Sequence, residues 1–139
     1  MKPRRPSTDS SPFQDWLPKH LLGRACRPGF GSECQFIPAT DVSRWIAAVK
    51  ARGVRSVLCL LNEAELGWYA HLPAGLLGAY RDEGLEAVSL PISLNGPGTL
   101  TRAELALLDE LMLNLPRPVV IHCSAGQVRS RQAIDHLVG

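Results

Sequence analysis

Along residues 41–52, apolar side chains fall at Val42, Trp45, Ile46 and Val49. That i, i+3, i+4, i+7 spacing marks one face of a helix, and Gly53 follows as its stop. The period then changes. VRSVLCLL, residues 54–61, is β-branched and apolar throughout and short enough for a buried strand. Residues 63–81 are helical in composition, interrupted at Pro73 and closed by Gly84, and residues 85–90 give a second strand that Pro91 ends. After the loop PISLNGPGTL, Thr101 and Glu104 form a Thr-x-x-Glu capping box ahead of the apolar face Leu105, Leu108, Leu111 and Met112. Pro116 and Pro118 stop that helix, and residues 119–122 form a third strand. Strands alternating with helices predict an α/β fold, a single domain with a largely parallel central sheet flanked by helices.

The flanks are less patterned. Residues 1–14, rich in Pro, Ser, Asp and Arg, read as a disordered tail that cannot bury enough surface to offset its ordering entropy. Residues 15–38 contain Gly23, Gly29 and Gly31, which break any period, so a loop-rich lead-in is expected within a domain of residues 15–139. At the other end the last helix is polar, with Arg131, Gln132, Asp135 and His136 interleaving Ile134, Leu137 and Val138.

Composition adds limits. A chain of 139 residues that is 45% hydrophobic can bury one real core, and its 11 Pro and 12 Gly punctuate elements and form no low-complexity tract. The net charge is +2 and only Lys2, Arg4 and Arg5 cluster, so nucleic acid is not an expected partner. There is no signal-peptide core and no stretch long enough to span a bilayer, so the expectation is a cytoplasmic protein with no membrane partner. Cys26, Cys34, Cys59 and Cys123 form no C-x-x-C pair, so no metal is expected and the four should be thiols.

The chemistry concentrates in VVIHCSAGQVRS, residues 119–130. Cys123 stands where a strand gives way to a helix, at the carboxyl edge of a parallel sheet where ligands collect. Ser124, Ala125, Gly126, Gln127 and Val128 are mostly small and uncharged, so the loop can curl its backbone N–H groups into an anion nest in front of a helix amino terminus. The same field favours the thiolate of Cys123. Arg129 offers a planar fork that binds two phosphate oxygens together, which a lysine does not. A nucleophile, an oxyanion cradle and a charge clamp around one phosphoryl group point to covalent phosphoryl transfer through a cysteinyl-phosphate.

These residues carry a resemblance. His122-Cys123-x-x-Gly126-x-x-Arg129-Ser130 resembles the H-C-x-x-G-x-x-R-[S/T] signature of the protein tyrosine phosphatase superfamily. Upstream, VLCLLNEAEL, the segment through Tyr80 and AVSLPI are similar to the atypical dual-specificity phosphatases, its kinase-associated branch most of all. The resemblance implies Cys123 as nucleophile, Arg129 as the phosphate ligand, Ser130 as donor to the departing sulfur, and His122 as a support beneath the loop and not a base. It implies no cofactor, and a phosphorylated protein or small phosphomonoester as partner. Cys59, on a neighbouring strand, is read as core, with a thiol of the kind that can in principle trap an oxidised Cys123 as a disulfide.

Three departures qualify the resemblance. Relatives carry Pro-Ile-x-Asp, whose Asp protonates the leaving oxygen, whereas here Pro91-Ile92-Ser93 leads to Leu94. Asn95 can hydrogen-bond a leaving group, and Glu63 or Glu65 are candidates either to brace Arg129 or to supply the proton. Val128 fills a position that is usually Gly or Ser, and relatives continue further past the loop than this chain. The expected activity is therefore a slow phosphatase that favours phosphotyrosine or aryl phosphates. The alternatives are a phosphate-binding pseudophosphatase or an RNA 5′-triphosphatase, the latter disfavoured because the loop carries no Lys and the chain no basic channel.

Overall fold

A computed structural model describes residues 11–30, 36–92, 99–124 and 128–139. The chain runs β1 (Phe13–Leu17), β2 (Leu22–Ala25), α1 (Ala39–Ala51), β3 (Ser56–Cys59), α2 (Glu63–Leu66), a 3₁₀ turn (Gly67–Tyr69), α3 (Gly75–Asp82), β4 (Glu86–Ser89), α4 (Arg102–Met112), β5 (Val119–His122) and α5 (Arg129–Val138). The five strands lie in the order β1-β2-β5-β3-β4. Among the described residues only the β1–β2 hairpin is antiparallel; β2 and β3 both flank β5 in parallel. No helix among the described residues is long and apolar enough to cross a membrane.

Helices cover both faces, which is why β3 and β5 read as nearly continuous apolar runs, with Ser56 and His122 at their ends. The period of two divides each strand between two cores. Val57, Cys59, Leu61 and Val120 pack with Val42, Trp45, Ile46 and Val49 of α1 and Leu76 and Tyr80 of α3. Leu58, Leu60, Val119, Ile121 and Cys123 pack instead with Leu108 and Met112 of α4 and Ala133 and Ile134 of α5. The helix expected at 41–52 is present with its four spaced side chains buried, and α4 opens on the anticipated Thr101–Glu104 capping box. The helical stretch from residue 63 is divided at its proline into α2, the 3₁₀ turn and α3.

The lead-in is the main correction. Where a loop was expected, β1 and β2 form a hairpin, and all of β2 is buried. Gly23 and Arg24 disguise that strand. A Cβ on Gly23 would sit 2.8 Å from ring carbons of Phe13 and Trp16, so the glycine is what lets β1 lie flat. Arg24 is buried because both Nε and Nη2 donate to the Asp15 carboxylate, at 2.8 and 2.6 Å. β1 also begins at Phe13, inside the stretch read as tail; residues 1–10 lie outside the described residues.

Candidate active site

β5 is flanked by parallel strands on both sides, and Cys123 follows its last residue at the carboxyl edge of the sheet. The thiol is buried, 3% exposed. Its Sγ lies 3.4 Å from the fully buried Ser130 Oγ, on the first turn of α5. Val128 is the residue before α5 and is half exposed, and Ser124 is half-buried. Ala125, Gly126, Gln127 and Asn95 lie outside the described residues, as do Cys34, Ser93 and Leu94.

Arg129 opens α5 and reaches across β5 to the β3–α2 junction. Its Nη1 donates to the Leu60 carbonyl at 2.7 Å, and Nη1 and Nη2 donate to the two carboxylate oxygens of Glu65, each at 3.0 Å. Glu65 is fixed in turn by a capping box: the Asn62 N–H donates to its Oε1, and its own N–H donates to Asn62 Oδ1, both at 2.9 Å. Burial pushes the Glu65 carboxyl up, but the Arg129 and Asn62 hydrogen bonds and the charges of Arg129 and Arg27 outweigh it, so the group is held below its ordinary value. For Arg129 the balance runs the same way, with burial opposed and overcome by the Glu65 contact, so its charge is reinforced. Of the two candidate glutamates, only Glu65 meets Arg129; Glu63 is exposed on α2.

Because side chains alternate along β5, His122 points to the opposite layer from Cys123. It stands between Trp45 and Tyr80, with ring centroids 5.3 and 5.9 Å away. Tyr80 is pushed well above its ordinary value by burial, so its hydroxyl stays protonated and donates to His122 Nε2 at 2.9 Å. His122 Nδ1–H then donates to the Cys123 carbonyl at 3.3 Å. Burial, the largest cause, lowers His122 to about 4. A neutral imidazole therefore ties the Cys123 backbone to α3, a position suited to support and not to proton transfer.

Cys59 is core, as its strand position implied, and its thiol does not face Cys123. Cys59 pairs in register with His122 and belongs to the α1–α3 core, while Cys123 belongs to the other. Burial pushes Cys59 up to about 12. Three contributors were not legible as site residues. Arg27 donates to Ser124 Oγ at 3.2 Å, Tyr80 holds His122, and Gln132 makes a two-point contact with the Leu100 backbone, receiving its N–H at 2.5 Å and donating to its carbonyl at 3.2 Å. Gln132 thus accounts for part of the polarity of α5, and His136, 3.0 Å from Asp109 of α4, for more.

No family model and no curated protein sequence matches the chain. Solved structures do. A crystal structure of kinase associated phosphatase with its catalytic-site cysteine replaced by serine aligns over 93% of this chain and 84% of that one, at 22% identity and a TM-score of 0.59. A putative phosphatase (DUF442) from Shewanella putrefaciens aligns over 86% of this chain and 66% of that one, at 15% identity and a TM-score of 0.54. The core catalytic domain of the PP-IP phosphatase SIW14 from S. cerevisiae aligns over 77% and 53%, at 19% identity and a TM-score of 0.50. The α/β fold of this chain is thus the fold of these phosphatases.

Proposed function

We propose that the chain is a cysteine-dependent phosphatase of the protein tyrosine phosphatase superfamily, of the atypical dual-specificity kind, acting on phosphomonoesters with aryl phosphates favoured. The observation that carries this reading is the convergence of Cys123, Ser130 and a Glu65-braced Arg129 at the carboxyl edge of the central strand. In further support, a structurally similar protein is named a phosphatase with a catalytic-site cysteine.

In this mechanism the Cys123 thiolate attacks phosphorus, a P–S bond forms, and the ester P–O bond breaks with its electron pair going to the leaving oxygen. Arg129, held in plane by Glu65, binds two equatorial oxygens as charge spreads over them. Water then attacks the cysteinyl-phosphate, the P–S bond breaks, and inorganic phosphate departs while the Ser130 hydroxyl donates to the returning thiolate. Glu65 serves as brace and not as acid, because a carboxylate committed to Arg129 is ionised at neutral pH. With Leu94 where relatives carry Asp, the leaving group takes its proton from solvent, with Asn95 as the nearest candidate hydrogen-bond donor in sequence.

Hydrolysis of p-nitrophenyl phosphate tests the reading. Turnover should disappear in Cys123→Ser and Arg129→Lys with the fold intact by circular dichroism. A series of aryl phosphates should show rates falling steeply as leaving-group pKa rises, because roughly 10²–10⁴ of general-acid help is missing. Phosphate binding with no turnover of any ester would instead assign the pseudophosphatase role, the reading that the missing Asp favours.

A further inference from the structure

Arg27 follows β2, where that strand runs beside β5, and only 6% of it is exposed. Its Nε donates to Ser124 Oγ at 3.2 Å, and its backbone N–H donates to the Ser124 carbonyl at 2.9 Å. Residue 27 therefore grips, by side chain and main chain together, the residue that follows Cys123. The guanidinium is itself fixed. Its Nη1 donates to Tyr69 Oη at 3.3 Å and to the Pro28 carbonyl at 3.4 Å, and its central carbon lies 4.6 Å from the Trp68 ring and 5.6 Å from that of Phe30.

Among the described residues this guanidinium has no counter-ion in contact, since no carboxylate forms an ion pair with it. Cation–π contacts and neutral acceptors hold a cation in place but do not cancel its charge. A buried charge without a partner is costly, and an arriving anion would offset that cost. The acid whose carboxylate feels Arg27 is Glu65, yet both oxygens of Glu65 are committed to Arg129. Arg129 and Glu65 together are neutral. Arg27 thus brings to this loop a positive charge that no described carboxylate pairs with.

We infer that Arg27 is a positioning residue of the phosphate site, fixing the first residue of the nucleophile's loop through Ser124 and supplying a positive charge, without an ion-pair partner among the described residues, that helps to hold a phosphate dianion there. The inference rests on the phosphate-loop reading of residues 123–129. Its test is calorimetric titration of the full chain with inorganic phosphate and with orthovanadate. Wild type should bind both. Arg27→Gln should weaken binding about tenfold or more, the scale of one lost charge-assisted hydrogen bond. Arg27→Lys, which keeps the charge but loses the Nε donor, should recover part of that loss. Ser124→Ala should weaken binding by a few-fold, and Arg27→Gln/Ser124→Ala should bind no worse than Arg27→Gln alone, because the two act through one contact. Should Arg27→Gln fail to fold, Arg27→Lys and Ser124→Ala carry the test, and wild-type affinity in both overturns the inference. Wild-type affinity in Arg27→Gln with a lowered Tm overturns it equally, leaving Arg27 as the cation of an aromatic stack. Absence of binding by the wild type removes the phosphate-loop reading itself and the inference with it.

Discussion

Glu65 gives both carboxylate oxygens to the fork of Arg129, and its Oε1 also accepts the cap N–H of Asn62. The geometry makes its loss informative, since the capping bond is neutral while the arginine contact is bidentate and charge-assisted. Glu65→Gln keeps an oxygen for the Asn62 N–H but removes the charge and one acceptor. Removing a hydrogen bond to a charged group costs about 1.5–3 kcal/mol, so kcat/KM toward p-nitrophenyl phosphate should fall roughly 10- to 100-fold. Glu63→Gln, on the exposed side of α2, should leave it within about twofold, because surface changes away from partners are near neutral. Steady-state kinetics of the two variants checks both outcomes. Equal losses would mean that the Arg129 brace is not what Glu65 contributes.

The hairpin of β1 and β2 shows how an element can depend on a residue that weakens its sequence signal. Glycine is a poor strand former, yet here its missing Cβ is the space that Phe13 and Trp16 fill, and those rings meet edge to face at 5.3 Å. Gly23→Ala forces the rings outward. Overpacking of this kind costs typically about 1–3 kcal/mol, and the loss should appear in urea unfolding as a lower midpoint. Because β2 runs alongside β5 and leads into Arg27, the same variant should also weaken phosphate binding. An unchanged midpoint would show that β1 does not pack on β2 as described.

At the scale of the whole molecule, the two core layers meet at β5, and the buried His122 makes their stability depend on pH. A histidine that titrates near 6.5 when unfolded and at about 4 when folded binds its proton more weakly in the native state. Its penalty is absent above the unfolded value, grows as pH falls below 6.5, and is complete near 4, amounting to about 3 kcal/mol. Glu65 adds in the same direction lower down, since its depressed carboxyl stabilises the fold above the ordinary glutamate range and loses that contribution as pH falls through its folded value. Urea unfolding between pH 7 and 4 should therefore show a steep loss in the wild type and a flatter profile in His122→Asn, which starts less stable at pH 7. Parallel profiles would exclude His122 as the source. The sequence alone carries the α/β class, α1 with its buried face, α4 with its cap, and the strand that ends before Cys123, because helical period, capping spacing and strand-to-loop transitions are set by neighbours in the chain. It did not determine that β1 and β2 are strands, that Glu65 and not Glu63 reaches Arg129, or that Arg27 holds Ser124. Those contacts join residues 9, 64 and 97 positions apart. No local period marks such pairs, and only the packing of strands side by side, with both faces of the sheet covered, brings them within hydrogen-bond distance.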